Sequence, residues 1–97
     1  MDKIVKENIV HVPGRFYIVT PSGEAELLYL IDKKTNTISM YHTFVPTSER
    51  GRGIAELMAF AAFDFAKKNK LLVKPDCEYI TYFVEKHKEL KKIVFYD

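Results

Sequence analysis

The chain predicts an α+β fold, mixed α/β in order, in which an antiparallel β-meander runs into a parallel β-α-β unit with a further C-terminal helix. Three observations carry this. Period-two apolar alternation fills the stretches from Arg15 to Thr20, Ala25 to Lys33 and Ile38 to Val45, with only short turns between them. The apolar set Ile54, Leu57, Met58, Ala61, Ala62 and Phe65 recurs at helical spacing. Leu71-Leu72-Val73 is a short apolar run stopped by Pro75, and strand, helix and strand in one sheet imply a right-handed crossover with parallel pairing.

Residues 1 to about 14 are mostly polar, with scattered Ile4, Val5, Ile9, Val10 and Val12, and Pro13-Gly14 marks a turn. Pro21-Ser22-Gly23-Glu24 is a tight reversal, since Pro fixes φ and Gly supplies a positive one. The next strand sets Ala25, Leu27 and Tyr29 on one face and Glu26, Leu28 and Leu30 on the other. After the polar reversal at Lys33-Lys34-Thr35-Asn36-Thr37, the residues Ile38, Met40, His42 and Phe44 alternate with Ser39, Tyr41, Thr43 and Val45. Pro46 cannot donate to a ladder, so pairing is expected to loosen there. The helix from Ile54 ends at Lys67, Lys68 and Lys70, which suit its negative end, with Asn69 able to take the left-handed conformation that closes it. Asp76 is the candidate N-cap of a second helix from Cys77 to about Glu89, which sets Ile80, Phe83, Val84, His87 and Leu90 on one face. The tail Ile93-Val94-Phe95-Tyr96 is an edge strand or a packed end.

A length of 97 residues allows one domain, 1–97, with a single core, and 47% hydrophobic against 29% charged residues describes a globular chain. No apolar run approaches a membrane span, and the stretch Met1-Asp2-Lys3-Ile4-Val5-Lys6-Glu7 lacks the features of a signal peptide, so a cytoplasmic protein without a membrane partner is expected. Cys77 is the single cysteine, and His11, His42 and His87 stand at no ligand spacing with it, so no metal is expected. A formal charge of +2 is too small to argue for nucleic acid. It leaves room for local attraction of a small anion.

That attraction concentrates at Arg50-Gly51-Arg52-Gly53-Ile54-Ala55, between a strand and a helix. Two residues without Cβ let consecutive N–H groups turn into one concavity, and the first helical turn adds unpaired donors and the positive end of its dipole. Arg50 and Arg52 add forked donors suited to phosphate oxygens. A P-loop is excluded because no Gly-Lys-Ser/Thr follows, and a dinucleotide fingerprint because its third glycine and acidic residue are missing from any βαβ frame.

This segment resembles the GNAT superfamily of N-acetyltransferases, whose Gln/Arg-x-x-Gly-x-Gly/Ala motif is filled by Arg50-Gly51-Arg52-Gly53-Ile54-Ala55. With His42-Thr43-Phe44-Val45-Pro46 before the loop and Pro75-Asp76-Cys77-Glu78-Tyr79 after the next strand, the chain looks like the minimal YjdJ-type branch, roughly from Gly14 onward. The resemblance implies a minimal acyl-CoA N-acyltransferase fold and acetyl-coenzyme A as co-substrate. Its pyrophosphate would lie on the loop amides, its pantetheine along Phe44 and Val45 where two parallel strands splay, and the N–H around Val45 would face the developing oxyanion. The tight turn at residues 21 to 24 replaces the two helices by which larger relatives recognise the acceptor. An open site for a small amine or a protein acceptor follows, on a monomer or weak homodimer.

Cys77 follows a buried strand at the start of a helix, where the dipole favours thiolate and Lys74 is near in sequence, while Asp76 and Glu78 oppose it. Beside the thioester that the resemblance implies, Cys77 either accepts the acetyl group transiently or lines its pocket. His42 is the candidate general base, since an ammonium acceptor must lose a proton before attack. Tyr79 or Tyr82 is the candidate acid for the departing thiolate, by likeness to relatives, with aromatic packing as the competing role. His11 and His87 read as solvated or structural. Lys67, Lys68 and Lys70 are a helix-end cluster that could also touch the 3′-phosphate. The competing function classes are a coenzyme A or acyl-coenzyme A binding module without efficient catalysis and a small nucleic-acid binder.

Overall fold

The computed structural model describes residues 3–96, so Met1 and Asp2 of the stretch read for a leader lie outside it, as does Asp97. A five-stranded sheet runs in chain order: β1 (Val10–Val12), β2 (Arg15–Thr20), β3 (Gly23–Asp32), β4 (Thr37–Phe44) and β5 (Leu72–Pro75). β1 to β4 pair antiparallel and β5 pairs parallel with β4. The crossover between β4 and β5 is α1 (Ile54–Lys68), and α2 (Glu78–Lys86) follows β5. No described helix is long and apolar enough to cross a membrane.

The meander gains a strand that the sequence pattern did not reveal. β1 is three residues of exposed backbone, too short for periodicity, and it is held by tertiary contacts instead. The His11 ring stacks on Phe16 at 3.9 Å, meets Phe65 edge-on at 4.7 Å, and its Nε2 lies 2.6 Å from the Tyr29 hydroxyl.

One face of the sheet is the core. Phe16 and Ile18 of β2, Ala25, Leu27 and Tyr29 of β3, Ile38 and Met40 of β4 and Val73 of β5 are buried in one cluster with α1 and α2. On α1 the buried stripe is Ile54, Met58, Ala59, Ala62, Phe63 and Ala66, while Leu57, Ala61 and Phe65 are only partly covered. This rotation from the expected stripe has a cause in α2, whose Phe83 ring stands 5.4 Å from Phe63 and covers it, while Phe60, 4.9 Å from the same ring, stays at the surface. The opposite face stays open, as Val19 at 63% and Leu30 at 65% exposure show.

Alternation along β4 does not survive its whole length. Tyr29 pairs with Met40 but Leu28 pairs with His42, so Tyr41 is an extra residue that reverses the facing of everything after it. Met40 points into the core, whereas His42 and Phe44 pair with Leu28 and Glu26 and share their open face. The expectation that His42, Phe44 and Met40 share a face is corrected by this bulge.

The fork between the parallel strands also opens elsewhere than at Pro46. The β3–β4 ladder persists to Phe44, while β4–β5 pairing stops at Met40 and Pro75, and Asp76 N–H makes the last bond to Met40 O at 3.1 Å. Asp76 is not the cap of α2. Cys77 occupies that position in extended conformation, and the Asp76 carboxylate instead accepts from Ser39 Oγ at 2.7 Å. Helix α2 ends at Lys86, and a 3-10 turn over Lys88–Ile93 carries Leu90 into the core. The tail is a packed end whose Val94 bridges Val73 in parallel. At the end of α1, Lys70 takes the left-handed conformation at φ 55°, and Asn69 caps by donating its side-chain amide to Phe65 O.

Candidate active site

The loop between β4 and α1 starts as a 3-10 turn over Thr47–Glu49 and then places Gly51 and Gly53 at φ 84° and 78°, both left-handed. Alternating left-handed glycines aim successive amides to one side, and a Cβ built on either would meet no protein atom within 4 Å. Arg50 N–H is used on Thr47 O at 3.3 Å, and Gly53 O accepts from Leu57 N–H at 3.0 Å. Among the described residues the N–H groups of Gly51, Gly53, Ile54, Ala55 and Glu56 have no backbone partner, and α1 carries no side-chain cap. Five backbone donors at and just before the helix start thus have no partner among the described residues.

In front of them lies a cavity of 480 Å³. Phe44, Val45, Arg50, Gly51, Gly53, Ile54 and Ala55 line it from the loop side and Tyr79, Tyr82 and Lys86 from α2, with Thr43, Glu49 and Glu56 completing the wall. The fork makes this space, because β4 runs on past the last rung while the chain after Pro75 turns away into α2.

The two arginines behave differently from what the loop sequence implies. Arg50 Nε donates to Val45 O at 3.0 Å, tying the loop to the end of β4. Arg52 does not line the cavity and pairs through Nη1 with Glu49 Oε1 at 2.5 Å. Glu49 is only 2% exposed, so this carboxylate neutralises Arg52 and locks the loop. The sequence signal for it was the three-residue spacing between Glu49 and Arg52.

Lys67, Lys68 and Lys70 are excluded from this site. They stand at the far end of a 15-residue helix, about 20 Å from the loop at 1.5 Å per residue. The lysine that lines the cavity is Lys86, which reached it through the packing of α2 on α1. The Lys74 ammonium lies over the Phe95 ring at 5.2 Å.

Of the candidate catalytic residues, Tyr79 lines the cavity, and burial pushes its hydroxyl up to about 12, helped by the charges of Glu56, Tyr82 and Cys77. Cys77 lies one layer behind the wall, its Sγ 2.9 Å from Thr43 Oγ1. The bulge at Tyr41 is what turns Thr43 to this side. His42 is not in the cavity wall. It stands on the open face just past the last β4–β5 rung, with Nε2 3.3 Å from Glu26 Oε2, and Glu26 is held in turn by Arg15 Nε at 2.9 Å. His11 and His87 are structural: His87 packs against Phe60 and Phe83 and reaches Glu56 at 3.4 Å. No cluster of three or more His, Cys, Asp or Glu among the described residues is arranged to hold a metal ion.

A mixed sheet forked at a glycine-rich, helix-starting loop defines an acyl-transfer fold, and the chain belongs to the GCN5-related N-acetyltransferase family, whose profile matches residues 15–93. Among sequence relatives, the protein NATD1 of Xenopus tropicalis is 42% identical over 64 residues, covering 65% of this chain and 57% of that one. The protein NATD1 of Homo sapiens is 40% identical over 50 residues, covering 52% of this chain and 44% of that one. The chain thus spans about half the length of these curated relatives. The solution structure of a GCN5-like protein from Staphylococcus aureus superposes with a TM-score of 0.68 over 95% of this chain and 91% of that one. At 22% identity this is a likeness of fold.

Proposed function

We propose that this N-acetyltransferase domain uses acetyl-coenzyme A to acetylate an amine that enters from the open face of the sheet. The observation that carries the reading is the cavity itself, floored by unpaired amides of Gly51, Gly53, Ile54, Ala55 and Glu56 at the mouth of the fork. These donors and the helix dipole suit a diphosphate, and the room above the two glycines allows its close approach. Phe44 and Val45 offer an apolar wall to the pantetheine, and the backbone N–H near Val45 faces charge developing on the thioester oxygen.

In the transfer the amine nitrogen bonds to the acetyl carbon as the carbon–sulfur bond breaks. His42, oriented by Glu26, takes the proton released from nitrogen, and Tyr79 gives its proton to the departing sulfur. Cys77 supports the wall from behind through Thr43 rather than carrying the acetyl group.

Thiol release from acetyl-coenzyme A with a panel of small amines and amine-terminated peptides tests the reading. Turnover with any of them supports it. Coenzyme A binding with no turnover across the panel turns the domain into a binding module, the competing function. Acetyl-cysteine recovered from rapidly quenched protein, with loss of transfer in Cys77→Ala, would give Cys77 the covalent role instead.

A further inference from the structure

We propose that Lys86 is a phosphate-binding residue for the nucleotide half of the coenzyme, held by Glu56 until the coenzyme docks and then released to it. The proposal rests on reading the cavity as a coenzyme site.

Charge around the cavity leads to this assignment. Among the residues lining it, the cations are Arg50 and Lys86 and the carboxylates are Glu49 and Glu56. Glu49 is neutralised by Arg52 behind the wall, and Arg50 spends its Nε on Val45 O. Glu56 is the third residue of α1, so its carboxylate stands beside the same first-turn amides that a diphosphate would occupy. An uncovered carboxylate there repels the ligand. Lys86 Nζ covers it at 3.1 Å, and this contact brings the ammonium to the N-terminal turn of α1.

The pair is built to exchange partners. Lys86 is 51% and Glu56 36% exposed at the side chain, and an exposed pair holds a flexible lysine weakly. A second group also faces Glu56: His87 Nε2 lies 3.4 Å from the same oxygen, its ring fixed by Phe60 and Phe83 at 4.8 and 4.6 Å. When Lys86 leaves, His87 keeps the carboxylate partnered. Of the lysines that follow α2, Lys91 is engaged by Glu85 at 3.0 Å.

Equilibrium binding of coenzyme A, dephospho-coenzyme A and pantetheine to the full chain tests this. Lys86→Gln is expected to weaken coenzyme A by about 10- to 100-fold, the value of a charged hydrogen bond, and to leave pantetheine unchanged. Lys86→Arg should recover most of the loss. If the effect persists with dephospho-coenzyme A, the partner is the diphosphate; if it vanishes, the partner is the 3′-phosphate. Glu56→Gln, which frees Lys86 in advance, should tighten coenzyme A. Unchanged binding in Lys86→Gln, equal loss for pantetheine, or weaker coenzyme binding in Glu56→Gln would each overturn the proposal. Failure of the unaltered chain to bind coenzyme A would remove the coenzyme reading as well, whereas full binding by Lys86→Gln removes the lysine assignment alone.

Discussion

Tyr79 keeps its proton because burial beside Phe83 and Tyr82 penalises the phenolate, and the nearby Glu56 adds to that penalty. A hydroxyl held up to about 12 stays protonated across the working range and can serve as an acid toward a thiolate. Tyr79→Phe should therefore lower kcat by on the order of 100- to 10,000-fold with little change in coenzyme affinity. The alkaline limb of the wild-type rate profile should show no break from this group below about pH 11. Other residues had roles that the chain order alone concealed. Gly51 and Gly53 were legible because their conformation is local, while the neutralisation of Arg52 by Glu49 depended on how a 3-10 turn folded back.

Short elements depend on such side-chain contacts more than on their own propensity. β1 is fastened by the His11 ring, and partial burial lowers the pKa of that imidazole from 6.5. A folded-state value below the unfolded one means that the stabilisation is complete above about pH 6.5 and is lost as pH falls through the lower folded value. The melting temperature should therefore fall between about pH 7.5 and 5.5 by more in the wild type than in His11→Gln. Equal falls would release β1 from this control. At the other end of the sheet, the extra residue Tyr41 decides the site. Its insertion turns Thr43 toward Cys77 and His42 toward Glu26, which strict alternation reversed. A bulge leaves no composition signal in a strand of this kind, so the sequence could name these residues but not their faces.

The whole molecule is a thin body, 42 × 26 × 18 Å, with both helices against one face of the sheet and the other face open. An open fork of this kind leaves the cavity accessible without dismantling the core. Coenzyme A at about 100 times its dissociation constant should add roughly 2.7 kcal/mol of stability, and each kcal/mol is about 4–8 °C in Tm for a domain this small. Gly53→Val should remove that shift. It should also lower the ligand-free stability by about 1–2 kcal/mol, because a β-branched residue is forced to φ 78° while its Cβ meets no protein atom. Loss of stability with the shift intact would mean that the loop amides do not hold the ligand.

The sequence by itself determined the meander, the crossover helix, the parallel fifth strand and the glycine loop, because period, turn chemistry and positive φ are properties of neighbours along the chain. Only the tertiary structure decided where the fork opens, which face His42 and Thr43 take, and that Lys86 rather than the lysines at 67, 68 and 70 reaches the cavity. Those outcomes follow from packing between elements distant in sequence: α2 lying on α1 through Phe83, and β4 carrying one residue more than its partner. No local pattern encodes them, because the contacts that set them form only once the strands and helices have met.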